Sequence, residues 1–260
     1  MYSAGGYGSG SGSSYSSVQS YAAHSQLEYI AQQAAPVMHA ETAVEVIDMD
    51  YRAKKPVEPR YDPKTSYHVS PNWFLNPDRQ PVPTIQNTAE IMPLVEETFQ
   101  ALTDKELPKN IKLIVADTQT LRRIHEQTGS KWSDGIQGFS LNRWGKGVSE
   151  IFVKEAPMDS LMLTIGHEIG HVLTPALATA QDEEAKAFAF SIAWVETIRQ
   201  HNIGNIGGNF AEHPAENGVH DVGFTFVKKL MNQGRTAVNV YMELVKRLLT
   251  TAPKEIITID

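Results

Sequence analysis

Apolar residues return every three or four positions over about 90–103 (EIMPLVEETFQAL), where Ile91, Leu94, Val95, Phe99 and Leu102 share one helical face. Pro93 is compatible with that helix if it lies in the first turn, where a missing N–H costs nothing. NIKLIVA, residues 110–116, has the short apolar run of a buried strand, and Asp117 is placed to cap a helix to Gln127 with Gly129 as its left-handed stop. GIQGFSLNR and VSEIFVK flank the Gly-rich turn WGKG and predict a hairpin. Beyond it the period is helical throughout: about 159–173, 181–201, 219–233 closed by Gly234, and 236–249. Helix, strand, helix, hairpin and then helices alone predict an α+β fold, because parallel crossover units do not recur.

Before Thr84 the pattern changes. Residues 1 to about 20 are almost all Gly, Ser, Tyr and Ala, with too little apolar surface to offset backbone ordering, and read as a flexible arm. Residues 36–83 are Pro-rich (KKPVEPRYDP, SPNWFLNPDRQPVP), which forbids long helices and favours an extended strap. Tyr51, Tyr61, Tyr67, Trp73 and Phe74 are spaced along it as anchors, and AVEVIDM at 43–49 alternates like a strand. The chain thus divides into an arm and strap, 1–84, and a compact domain, 85–260.

Composition narrows the chemistry. The net charge is −7 with no dense run of Lys or Arg, which argues against nucleic acid or a membrane surface as partner. No apolar stretch approaches the roughly 20 residues of a membrane span, and no secretion signal is readable, so a soluble, cytoplasmic protein is expected. Cys is absent. Disulfides, thiol nucleophiles and Cys-ligated zinc are excluded, and any metal must be held by His, Asp or Glu.

Such a set stands in DSLMLTIGHEIGHVLTP, residues 159–175, where Asp159 is placed to cap a helix that Thr174-Pro175 ends. His167 and His171 are four residues apart, about 40° around a helix, so their imidazoles can converge on one cation. Glu168 points about 100° away, suited to take a proton from water at that cation rather than to ligate it. Gly166 and Gly170 are poor helix formers whose presence implies a closely packed neighbour. The competing explanation is a satisfied pair of core histidines.

A third ligand must come from Asp182, Glu183 or Glu184, at the start of QDEEAKAFAFSIAWVETI. Glu184 shares a stripe with Ala187, Phe188, Ser191, Val195 and Ile198, and Glu183 shares another with Ala187, Phe190, Trp194 and Ile198. The first stripe favours Glu184, and Glu183 stays open. Phe188, Phe190 and Trp194 read as core, and His125, His201 and His213 as surface residues.

HEIGHVLTP, EEAKAFAFSIAWVETI and PAENGVHDVGFTFVKKL resemble the minigluzincins, compact metallopeptidases of the gluzincin group of zincins. The likeness spans about residues 85–250. It implies a zincin-type domain with a small mixed sheet, an active-site helix and a glutamate helix, and one Zn2+ per chain on His167, His171 and Glu184 with Glu168 as general base. It further implies that strand 148–153 pairs with an extended peptide substrate; for His220 it offers an oxyanion-stabilising role with Asp221 as orienting partner, beside the competing explanation of a polar helix cap after an Asn217-Gly218 turn.

The function expected is zinc-dependent hydrolysis of peptide or protein substrates. A latent form is one reading of the strap, in which part of residues 36–84 lies across or beside the cleft, sterically or through Asp48, Asp50, His68 or a backbone carbonyl; the competing reading packs the strap on the back of the domain or on a neighbouring subunit. The alternative is an assembly or scaffold protein that keeps the fold and self-associates through residues 1–84.

Overall fold

The computed structural model describes residues 74–211 and 222–251. Strand 43–49, most of the strap, His213, His220 and Asp221 lie outside the described residues.

Within them the order is β1 (Thr84–Ile85), α1 (Thr88–Thr103), β2 (Ile111–Ala116), α2 (Thr118–Gln127), β3 (Gly138–Leu141), β4 (Ser149–Lys154) and β5 (Ala156–Pro157). There follow α3 (Met158–Val172), α4 (Ala180–His201), two short 3-10 turns, α5 (Val222–Asn232) and α6 (Ala237–Val245). The expected α+β architecture is present. Asp117 caps α2 through the Gln119 and Thr120 N–H groups, and Gly129 and Gly234 stand at φ +87° and +92°, where a Cβ would be strained. α1 starts two residues earlier than expected, so Pro93 falls in its second turn and removes one hydrogen bond, at the exposed position Ala89.

The main sheet has the order β2-β4-β3, with β4 parallel to β2 and antiparallel to β3. This corrects one expectation. β4, the strand expected to pair with substrate, is the central strand and has no free edge; Ile151, Phe152 and Val153 are all buried. Among the described residues the sheet's edges are β2, where Thr88 Oγ1 accepts from Val115 N, and β3. Lys154 N donates to Gln137 O, so hydrogen-bonded pairs alternate from there, and the backbone groups of Gly138 and Ser140 face away from β4.

α4 is the central helix and packs against α3, α6, α5 and α1. The two glycines of α3 explain how closely it approaches. A Cβ on Gly170 would stand 2.9 Å from Ala187 Cα, and one on Gly166 would stand 2.5 Å from the Trp194 ring. Trp194 in turn donates from Nε1 to Met162 O at 3.0 Å.

The packed body also reaches upstream of Thr84. Phe74 and Leu75 are buried, Leu75 bridges to Phe210, and Phe74 meets Phe224 of α5 edge to face with centroids 5.6 Å apart. Asp159 does not cap α3; Pro157 occupies that position without a side-chain bond. The fully buried Asp159 carboxylate instead receives Arg79 Nε at 3.1 Å and Asn209 Nδ2 at 2.9 Å. A buried carboxylate needs such partners, and these two tie residues 74–82 to the start of α3.

Candidate metal centre

α3 and α4 run back to back through a seven-residue connection, Leu173–Thr179, and the short side chains at Gly170 and Ala187 let them touch. That contact brings His167 and His171 of α3 against Glu184 of α4. One ligand atom from each lies within 4.8 Å of the others, and all three side chains are buried. His167 Nε2 is 3.4 Å from Glu184 Oε2, and His171 Nε2 is 3.8 Å from Glu184 Oε1. These are poor hydrogen-bond distances. They approximate the edge of about 3.3 Å expected between ligands of a tetrahedral ion with bonds of about 2.0 Å.

The donor set fits a divalent cation on a second observation. Glu184 Oε2 and His167 Nδ1 are buried without a hydrogen-bond partner among the described residues. An uncompensated buried carboxylate oxygen is costly, and a cation between the imidazoles and Glu184 removes that cost.

Glu183 does a different job. Its Oε1 lies 3.0 Å from His171 Nδ1 and 2.9 Å from Lys186 Nζ, while Oε2 accepts from Leu177 N at 2.7 Å. Burial would raise the Glu183 carboxyl, but the hydrogen bond with His171 and the Lys186 charge bring it down to about 2. As a carboxylate it accepts the Nδ1 proton of His171, so the proton that a cation would displace is the one on Nε2, which is turned to the donor group. Burial would also depress His171, yet the charge of Glu184, the bond to Glu183 and the charge of Glu168 hold it up at about 9. The field that retains a proton there also attracts a metal cation.

Lys186 is fully buried. Burial pulls its ammonium below the usual range, opposed by Glu183 and Glu184. It donates to the carbonyls of His171 at 3.3 Å and Pro175 at 3.2 Å, at the C-terminal end of α3. From the other side, Asn142 Nδ2 donates to the carbonyls of His171 at 2.7 Å and Thr174 at 2.8 Å. Neither was found from sequence. Lys186 carries a faint signal, a lone cation three residues after Glu183 in an apolar run; Asn142 carries none.

Glu168 is buried beside His167 and outside the three-residue group. His167 is held by packing, its ring edge to face with Phe188 at 4.9 Å. Phe188, Phe190 and Trp194 are core residues, as expected, and His201 is exposed. His125 is not a surface residue. It is 2% exposed, between Trp132 and Phe139, because Leu121 and His125 form the face of α2 turned to the sheet.

Comparison of the chain with protein-family models, with curated proteins and with solved structures finds no match in any of the three. Among the described residues, no helix is long and apolar enough to cross a membrane.

Proposed function

We propose that this chain is a zinc-dependent peptidase of the zincin type, similar to the minigluzincins, with the ion on His167, His171 and Glu184. The observation that carries the reading is the buried convergence of those three side chains, with one carboxylate oxygen left without a hydrogen bond. Zinc suits two imidazoles and a carboxylate at near-tetrahedral spacing, with one position open.

His167, His171 and Glu184 would hold the ion, which would supply Lewis acidity toward an amide carbonyl and a water. Glu168 would take a proton from the attacking water and return it to the leaving amine, a role worth roughly 10²–10⁴ in rate. Glu183 and Lys186 keep His171 in one tautomer. The outer edge of β3 supports an extended peptide as substrate: the backbone groups of Gly138 and Ser140 face away from β4 and pair with no other strand among the described residues, and a Cβ on Gly138 would stand 2.8 Å from Thr164 Cγ2, one turn before Glu168.

The test is Glu168→Gln in the full chain. Zinc content and melting temperature should match the parent, and hydrolysis of a mixed peptide pool should fall at least about 100-fold. Undiminished turnover contradicts the assigned base. A parent that holds zinc and cleaves no peptide leaves the assembly reading instead.

A further inference from the structure

β3 and the metal-ligand helix are separate elements, and a peptide lying on one must meet a cation held by the other. A strand slipped by one residue presents the wrong carbonyl, and an error of about 1 Å at a reacting centre can cost on the order of 100-fold in rate. Something must fix the distance between the edge of β3 and His171.

Asn142 is placed to do so. It follows Leu141, the last residue of β3, and its side-chain amide spans to the end of α3. Nδ2 donates one proton to His171 O and the other to Thr174 O, while Oδ1 accepts from Trp144 N at 3.0 Å. All of its polar side-chain atoms are used. One bond lands on the backbone of a metal ligand, and another holds the turn that closes the hairpin. The next residue is fixed as well, since Arg143 N donates to Ser149 Oγ at the start of β4.

We propose that Asn142 is a positioning residue that sets the register between an extended peptide on β3 and the cation site. This rests on the peptidase reading above. It adds that the clamp acts on the peptide, through β3, rather than on the cation. Lys186, from α4, bonds to the same His171 carbonyl, so a protein without Asn142 keeps a partner on that carbonyl and should keep the three ligands in place.

The experiment compares the full chain with its Asn142→Ala variant in three arms. Zinc affinity is measured by competition with a chromophoric chelator. KM and kcat are measured for a quenched decapeptide pool and for blocked dipeptide amides too short to span β3. In the Glu168→Gln background, binding of a fluorescein-labelled random decapeptide pool is followed with amide exchange at Gly138 and Ser140. Asn142→Ala should leave zinc affinity within about threefold, raise KM for decapeptides at least about tenfold, and change dipeptide hydrolysis little. Decapeptides should slow exchange at Gly138 and Ser140 with Asn142 present and much less without it.

A common fall in zinc affinity and in both substrates overturns the proposal, since Asn142 would then only hold the end of α3. Unchanged KM for decapeptides also overturns it. Asn142→Gln, which keeps both donors on a longer arm, guards against a folding artefact: it should stay folded and move KM for decapeptides alone. If the parent binds decapeptides through Gly138 and Ser140 but cleaves nothing, the peptidase reading fails while the exchange arm still decides the role of Asn142. If it binds none, both fail.

Discussion

Glu183 and Glu184 are consecutive, yet Glu183 Oε1 meets His171 at Nδ1, 3.0 Å away, while Glu184 Oε1 lies toward Nε2 of the same ring at 3.8 Å. One carboxylate orients the imidazole, and in the proposed site the other would share its cation. Removing them should therefore have unequal effects. Glu183→Ala should weaken zinc binding by roughly 10–100-fold, the usual cost of losing a ligand's hydrogen-bond partner. Glu184→Ala should weaken it further, because a ligand is gone. Chelator competition ranks the two; the opposite order would exchange their roles.

The glycines of α3 should tolerate no side chain. Gly170→Ala gains about 1 kcal/mol in helix propensity, but its methyl would meet backbone at Ala187, where relief requires the helices to separate. Overpacking of about 1–3 kcal/mol outweighs that gain, so net destabilisation is expected, together with weakened zinc binding as Glu184 moves off. Gly166→Ala must displace the Trp194 ring and should be at least as damaging. Chemical denaturation measures both, and a stabilised Gly170→Ala protein would show that the helices are not in tight contact.

Phe74 lies upstream of the region that resembles the minigluzincins, yet it is 1% exposed and begins an aromatic series through Phe224 and Phe188 to His167. Phe74→Ala should cost about 3–5 kcal/mol of stability, as for other buried Phe truncations. Deleting residues 1–84 removes this contact and Arg79 with it. The latent-form expectation is therefore better tested with cuts before Phe74. Denaturation of Phe74→Ala checks the claim; a change below about 1 kcal/mol would mean that the segment is not core.

Zinc should raise the melting temperature and a chelator should lower it, because an ion bound only by the folded chain stabilises it by about 2.7 kcal/mol at 100 times Kd. His167→Ala should lose this response. A shift that survives the substitution would locate the effect elsewhere.

Much of this was legible in the sequence, and what was not has physical causes. The helices expected at about 90–103, 159–173 and 181–201 follow from apolar spacing and are present at Thr88–Thr103, Met158–Val172 and Ala180–His201, and the pairing of His167 with His171 follows from ligand chemistry at helical spacing. The stripes favoured Glu184 without closing off Glu183, because α4 is buried on nearly all sides from Asp182 to Val195 and has no single inward face. The hairpin was readable but not its place in the sheet, since pairing of β2 with β4 is non-local; the unbroken run Ile151–Val153 was the available sign of a strand covered on both faces. Asp159 looked like a cap by position, and only Arg79 and Asn209, distant in sequence, reveal it as a buried anchor. Asn142 has meaning only once β3 and the end of α3 are adjacent.

The central claim is a cation held by His167, His171 and Glu184, and metal stoichiometry tests it most directly. The full chain, purified without chelator and dialysed against zinc, should hold one zinc per chain by elemental mass spectrometry. His167→Ala and His171→Ala, each shown to be folded, should hold far less than one. One zinc per chain in both substituted proteins would contradict the site.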